Sequence, residues 1–227
     1  MPLGRGQDVL LAASFYTQHR LRSGSQPRHM AGSNVPSDPP RPPKSDRGAS
    51  DGVRRPYPKE WERRTHLPDG MPVFIRPLRA DDDKLYPAFL SSITPNDLRM
   101  RFFAPVKDFS PAFIARFTQI DYARVMAFIA LDEASGEMLG VGRLHTLTPS
   151  DTGEYAVLVR SDLKGHGLGW LLMQTLIEYA RAEGIRTIQG EVLAENTTML
   201  RMCAELGFHV ADNTGEPGVR TVTLTVA

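Results

Sequence analysis

Three glycines at alternate positions, Gly165, Gly167 and Gly169, and two carboxylates, Glu154 and Glu191, are the residues whose types and spacing point to chemistry. Residues 156–159 (Ala-Val-Leu-Val) form a short apolar run, the pattern of a strand buried on both faces. After a short connection comes Lys164-Gly165-His166-Gly167-Leu168-Gly169, followed by a helical run over residues 170–183. Glycines at this spacing strip Cβ atoms from one side of a loop and permit positive φ, so that bare amide N–H groups converge on an anion. The following helix adds its own free amides and the positive end of its dipole. Strand, glycine loop and helix N-terminus together predict a phosphate cradle. Glu154 opens the strand that feeds this cradle, and Glu191 lies on a second expected strand, residues 187–192. A carboxylate at a strand end is commonly just a solvated charge, but within reach of an amine, directly or through a water, it serves as a general base.

Two familiar phosphate loops are excluded. A Rossmann loop needs its third glycine where Trp170 stands, and its first glycine directly after the strand, whereas residues 161–164 intervene. A Walker loop needs Gly-Lys-Ser/Thr, which does not occur. The segment from Lys164 to Gly169 instead resembles the pyrophosphate loop of the GNAT acetyltransferases, Gln/Arg-x-x-Gly-x-Gly/Ala, with Lys164 in place of the usual Gln or Arg. The resemblance continues through Glu191-Val-Leu-Ala-Glu-Asn196 and Leu206-Gly207-Phe208, which look like the fifth strand and fourth helix of that fold. Upstream, Phe74-Ile75-Arg76-Pro77, Arg101-Phe102-Phe103 and Gln119-Ile120-Asp121-Tyr122 resemble the acetyltransferase domain of bacterial Pat-type protein lysine acetyltransferases.

The resemblance implies an α/β (α+β) fold: a single GNAT domain with a mixed, mostly antiparallel sheet splayed between its fourth and fifth strands. It implies acetyl-CoA as cosubstrate. The pyrophosphate would be held by Lys164, Gly165, His166, Gly167, Leu168 and Gly169, and the pantetheine arm would run along the main chain of Val157, Leu158 and Val159. Asn196 is an N-cap by position, and the family adds a contact to the pantetheine arm. Acetyl transfer to an amine needs a base, because an ammonium with a pKa near ~10.4 cannot attack, and it needs N–H donors where charge develops on the thioester oxygen. Glu154 matches the proposed catalytic glutamate of Pat-like sequences. Glu191, five residues before Asn196, matches the base-to-cofactor spacing of ribosomal-protein N-terminal acetyltransferases and is the alternative. Cys203 stands where many GNAT enzymes carry a tyrosine on the fourth helix, and as a lone cysteine on an apolar helix it is assigned to packing. Protein lysine is the acceptor that the Pat-like branch implies. A small amine acceptor, and a non-catalytic module that senses acetyl-CoA, are the alternatives.

Composition narrows the setting. The chain has 227 residues, 41% hydrophobic and 23% charged, enough for one domain with residues to spare. A single cysteine excludes an intramolecular disulfide and fits a reducing, cytoplasmic compartment. The six histidines do not cluster with Cys or carboxylates, so no metal site is expected, and no apolar run reaches membrane-spanning length. Residues 1–70 carry 12 Lys/Arg against 7 Asp/Glu, whereas residues 71–227 carry 15 against 19, a mildly acidic domain suited to an amine substrate and not to nucleic acid. Ten of the 18 prolines precede residue 70, and residues 1–52 are expected to be a disordered Pro/Arg/Ser-rich tail, with the GNAT domain over residues 53–227. Residues 9–16 are apolar but too short, behind a lone Arg5, for a secretion signal.

The elements that must position the site follow from local signals. Strands are expected over residues 73–75, 126–131, 138–146, 154–159, 187–192 and 219–226, with residues 134–136 turning a hairpin. Helices are expected from the acidic run of residues 81–83 to Leu90, from Thr94 or Asn96 through Phe103, from Ser110-Pro111 to about Gln119, from the glycine loop to Gly184, and over residues 197–206. Leu168, Leu171, Leu172, Leu176, Tyr179 and Ala180 form the apolar stripe of the long helix.

Overall fold

The computed structural model describes residues 55–106, 109–147 and 151–226. The tail expected to be disordered, residues 1–52, lies outside them. An eight-stranded sheet runs in the order β1-β2-β3-β4-β5-β6-β8-β7. Its strands are β1 Arg63–His66, β2 Pro72–Pro77, β3 Val125–Asp132, β4 Met138–Leu147, β5 Thr152–Val159, β6 Thr187–Leu193, β7 His209–Asp212 and β8 Val219–Thr225. Every neighbouring pair is antiparallel except β5 and β6, which run parallel. Among the described residues five α-helices complete the fold: α1 Tyr86–Ser91, α2 Pro95–Phe102, α3 Pro111–Thr118, α4 Leu168–Ala182 and α5 Thr197–Glu205. This is the mixed, mostly antiparallel sheet that the sequence implies.

β3 shows why the sheet has a core on both sides: in VMAFIALD every residue from Met126 to Leu131 is buried. On one face lies α4, whose residues Leu168, Leu172, Leu176, Tyr179 and Ala180 are buried as the apolar stripe requires. Two glycines of β4 admit the helix closely. A Cβ on Gly140 would sit 3.1 Å from Leu172 Cδ1, and one on Gly142 would sit 3.3 Å from Leu176 Cδ1. On the other face lie α1, α2 and α3, whose aromatic rings interlock. Phe102 meets Phe113 at 6.0 Å and Phe117 at 6.1 Å, and Tyr86 stacks on Phe117 at 6.0 Å.

Two strands escape a reading of periodicity. β1, Arg-Arg-Thr-His, has no apolar alternation, and it is held by backbone pairing to β2 and by Trp61, just before it, which packs on Tyr179 at 5.3 Å and Phe128 at 5.8 Å. β7 is mostly exposed and pairs only with β8 at the far edge. The first predicted helix is divided: residues Ala80–Leu85 form a 3₁₀ turn before α1. Its buried Asp82 pairs both oxygens with the Arg76 guanidinium, at 2.6 and 2.7 Å, and also accepts from the Arg79 amide at 2.7 Å. Those bonds fix the turn where an isolated acidic first turn would have continued as a helix.

The feature that matters most for function is a gap. β5 and β6 pair only at Thr152↔Thr187, Gly153↔Ile188 and Glu154↔Gln189. Beyond Glu154 the Tyr155 side chain lies against β6 at Gly190, where an added Cβ would stand 2.5 Å from Tyr155 Cε1. The ring is anchored on its far side by Phe208 at 5.5 Å and by the Cys203 thiol, 3.1 Å from its hydroxyl. A large ring seated over a residue without a side chain parts the two strands. Gly190→Ala is therefore expected to destabilise the fold by about 1–3 kcal/mol through overpacking. Urea unfolding checks this: pairing Gly190→Ala with Tyr155→Leu recovers most of the loss if the ring is the cause.

Candidate active site

The glycine loop has the backbone that an anion cradle needs. Gly165 and Gly167 adopt φ of +84° and +88°, the left-handed region where side chains are strained. Gly167 is also the N-cap of α4 and supplies no side-chain cap to the first-turn amides. A Cβ on Gly165 would meet open space, whereas one on Gly167 would lie 2.8 Å from Pro68 Cδ. Pro68 belongs to the turn between β1 and β2, which thereby forms a wall of the loop. The same turn supplies Asp69, whose Oδ2 lies 2.7 Å from His166 Nδ1. This contact, with the Met71 amide, holds the Asp69 carboxyl below its ordinary range. His166 is thereby committed to the loop's own architecture.

Lys164 is committed as well. Its ammonium bonds to Asp97 near the start of α2, and Ser161 donates to the other oxygen of the same carboxylate. Burial alone would raise the Asp97 carboxyl, but these bonds and one from Thr94 hold it below its ordinary value. The His166 amide donates to the Leu163 carbonyl, so what the segment from Lys164 to Gly169 offers a ligand is its remaining main-chain N–H groups and a helix N-terminus. That chemistry suits the pyrophosphate of acetyl-CoA.

The register of β5 sorts the next three candidates. The Arg160 amide donates to Leu139 of β4, and the Asp151 carbonyl accepts from Thr187 at the start of β6. Main-chain groups alternate direction along a strand, so Leu158 bonds to β4 while Val157 and Val159 present theirs to the open edge beyond Glu154. Leu158, expected alongside them, spends its main chain on the sheet. Asn196 is the N-cap of α5, with its side-chain oxygen accepting from the Met199 amide at 3.2 Å.

Glu154 sits where the strands part. It is half-buried, and its Oε2 is buried without a hydrogen-bond partner. Burial, set against the attraction of Arg101 and reinforced by repulsion from Glu191, raises its carboxyl from 4.5 to about 7. Glu191, the alternative base, is exposed, and its Oε1 accepts from Asn213 at 2.9 Å. The two carboxylates border one opening, with Glu154 the enclosed member. His145 is the register partner of Glu154 on β4, so their side chains share a face. Its Nδ1 is also buried without a partner, and burial together with Arg143 and Arg124 lowers its pKa. Nothing local in the sequence marks His145. Only the pairing of β4 with β5 puts it beside the candidate base.

On that same face Arg101 and Arg143 line a cavity of about 30 Å³ with Tyr86, Phe102, Phe117 and Ala156. Burial, and then repulsion from Arg143, lowers Arg101 to about 10. Cys203 is fully buried against Tyr155, in keeping with packing. Asp121 proves to be a turn residue that leads the chain into β3. Its side chain accepts from the Ala123 amide at 3.0 Å, and its carbonyl accepts from Arg124 and Val125.

Comparison with known proteins agrees with this geometry. The profile of the Acetyltransferase (GNAT) family matches residues 95–208, and the chain belongs to that family. An acetyltransferase of Pseudomonas aeruginosa is 36% identical over 144 residues, 63% of this chain and 77% of the relative. An L-methionine sulfoximine/L-methionine sulfone acetyltransferase of Pseudomonas paraeruginosa is 32% identical over 94 residues, 40% of this chain, and the match spans little more than half of that relative, 55%. Among solved structures, the GNAT domain of S. lividans PAT superposes with a TM-score of 0.69 at 28% identity, covering 75% of this chain and 99% of that domain. Among the described residues no helix is long and apolar enough to cross a membrane.

Two outcomes follow from the site. Gly165→Asp places a negative charge in the cradle at a position with room for it and a φ that Asp tolerates. It should abolish the thermal stabilisation conferred by acetyl-CoA, whereas neutral Gly165→Asn, which carries the same backbone strain, keeps much of the ligand effect. The second concerns Glu154, whose folded pKa of about 7 exceeds its ordinary 4.5. The buried ionised form costs stability that is absent below pH 4.5 and grows as pH rises through 7. Glu154→Gln should therefore unfold at higher denaturant than wild type at pH 8, by about 1–3 kcal/mol, and the two should converge near pH 4.

Proposed function

We propose that this acetyltransferase moves the acetyl group of acetyl-CoA to a primary amine, with Glu154 as the general base. The observation that carries the reading is the unpartnered Oε2 of Glu154, buried at the point where β5 and β6 part. With a pKa of about 7 the carboxyl is ionised in a useful fraction at neutral pH and is a stronger base than an exposed glutamate. Acetyl-CoA, when bound, supplies the activated thioester. Gly165, Gly167, Leu168 and Gly169 would hold its pyrophosphate by main-chain amides. The open-edge groups of Val157 and Val159 would hold its pantetheine arm, with Asn196 at the neighbouring helix start. Glu154 takes one proton from the acceptor ammonium; the nitrogen bonds to the acetyl carbon, and the carbon–sulfur bond breaks with its electron pair going to sulfur, which takes up the second proton that the nitrogen sheds.

For the acceptor, a small amine is the reading we favour. Support comes from the similarity to a relative named for two methionine derivatives and from the two arginines beside Glu154, which oppose the approach of a purely cationic chain. The lysine side chain of a protein is the second reading, supported by the resemblance to Pat-type domains and the similarity to the S. lividans PAT domain.

Thiol release from acetyl-CoA, measured in single turnovers with an accepted amine, tests the base. Glu154→Gln should slow transfer by on the order of 10²- to 10⁴-fold with acetyl-CoA affinity retained. The wild-type rate should rise with pH through about 7 as the carboxyl ionises. Glu191→Gln should change the rate far less; an inactive Glu191→Gln beside an active Glu154→Gln would exchange their roles.

A further inference from the structure

The cavity on the Glu154 side of β4 and β5 is lined by two guanidinium groups and a phenol, with no carboxylate among its lining side chains. Arg143 projects from β4, Arg101 from α2 and Tyr86 from α1, and all three border the same cavity. Tyr86 is 2% exposed; its buried hydroxyl lies beside the Arg143 guanidinium and meets no hydrogen-bond acceptor. Arg143 donates to the Phe117 carbonyl and lies over the Phe117 ring at 5.6 Å, and Arg101 lies over the Phe102 ring at 5.0 Å. Among the described residues neither guanidinium forms an ion pair, in contrast to the buried Arg76, which both oxygens of Asp82 neutralise. Arg101 feels Glu154 electrostatically, yet Glu154 Oε2 accepts no hydrogen bond from it.

Two enclosed cations that repel one another, beside a phenol that meets no acceptor, are costly unless an anion joins them. The rest of the lining, Phe89, Leu90, Val141, Ala156 and Leu158, is apolar and offers no acceptor side chain. The cavity volume of about 30 Å³ suits one small polar group and not a peptide. Its position relates it to the base. Ala156, which lines the cavity, is two residues along β5 from Glu154, about 7 Å on the same face.

We infer that Arg101, Arg143 and Tyr86 form a carboxylate subsite, and that the acceptor is a small amino-carboxylate such as a free α-amino acid. This rests on the reading of Glu154 as the base that receives the acceptor's ammonium. The carboxylate bridges the guanidinium groups by charge-assisted bonds, Tyr86 donates to it, and the amino group of the same molecule is carried toward Glu154. An arginine pair reads a planar carboxylate far better than it reads a neutral amide.

Calorimetry on the full chain with CoA present tests the subsite, using the common L-amino acids, L-methionine sulfone and the primary amide of each. Thiol release from acetyl-CoA is recorded with the same compounds and with a lysine-containing peptide. At least one free acid should bind about 10- to 100-fold more tightly than its amide, the range that bonds to a charged group provide. Arg101→Gln should erase that preference while CoA affinity and melting temperature stay near wild type. Arg143→Gln should do the same; since Arg143 also bonds to Phe117, Arg101→Gln decides the matter alone if that second variant does not fold. Acids that bind no better than their amides across the panel, or an Arg101→Gln variant that weakens acid and amide equally, would overturn the subsite. Selective acid binding with no thiol released from any compound would uphold the subsite and overturn the transferase reading. Transfer to amides or peptide lysine with no preference for acids would do the reverse.

Discussion

The parting of β5 from β6 is the constraint on which the rest of the site depends. A parallel ladder begun at Thr152 would, if continued, bond the main chain of Val157 and Val159 to β6 and close the sheet. Tyr155 prevents this because its ring occupies the space that a β6 side chain would need, and Gly190 is the residue that leaves that space. The ring is not a loose wedge: Phe208 and Cys203 brace it from α5 and the segment that follows. One packing contact thus yields three functional consequences. It leaves donors on an open strand edge, it creates a cleft, and it sets Glu154 at the cleft's apex with one oxygen unbonded.

The cradle beside that cleft is equally a product of distant segments. Its glycines supply conformational freedom, but its shape is imposed from outside: Pro68 crowds Gly167, Asp69 holds His166, and Asp97 holds Lys164. Through Asp97 and Ser161 the loop is tied to α2, the helix that carries Arg101 toward Glu154. Phe103, in a left-handed conformation at φ 60°, ends that helix immediately after Arg101 and Phe102 and fixes their presentation. The glycine loop and the face that carries Arg101 are therefore mechanically joined by a short network of charge-assisted bonds, which would preorganise both halves of the proposed site.

How much of this is legible in the sequence depends on the range of the interaction. The glycine loop, the caps Thr94, Ser110 and Asn196 and the stripe of α4 are local patterns, and they occur where the residues indicate. Strands β1 and β7 are not local patterns. They exist because an edge offers backbone partners, so a basic tetrapeptide and a half-polar one become strands without periodicity. Register is the other hidden quantity. It decides that Leu158 faces β4 with its main chain while Val157 and Val159 do not, and it seats His145 opposite Glu154. Arg143 reads as an ordinary exposed position of an antiparallel strand, and only the docking of α1, α2 and α3 encloses it.

Net charge misleads here for a related reason. The span from residue 71 onward is mildly acidic, which as a composition favours an amine. The surroundings of Glu154, the proposed base, are the opposite, with Arg101, Arg143 and His145, whose pKa burial lowers. The pKa of Glu154 is a balance in which burial prevails, Arg101 pulls down and Glu191 pushes up. An acceptor that brings only a cation adds to the downward pull and weakens the base at the moment it is needed. An acceptor that brings a carboxylate with its ammonium offsets Arg101 while presenting the proton to be removed. Arginines beside a proposed general base look counterproductive when the amine is considered alone, and become consistent with the proposed transfer once the acceptor supplies their counter-ion.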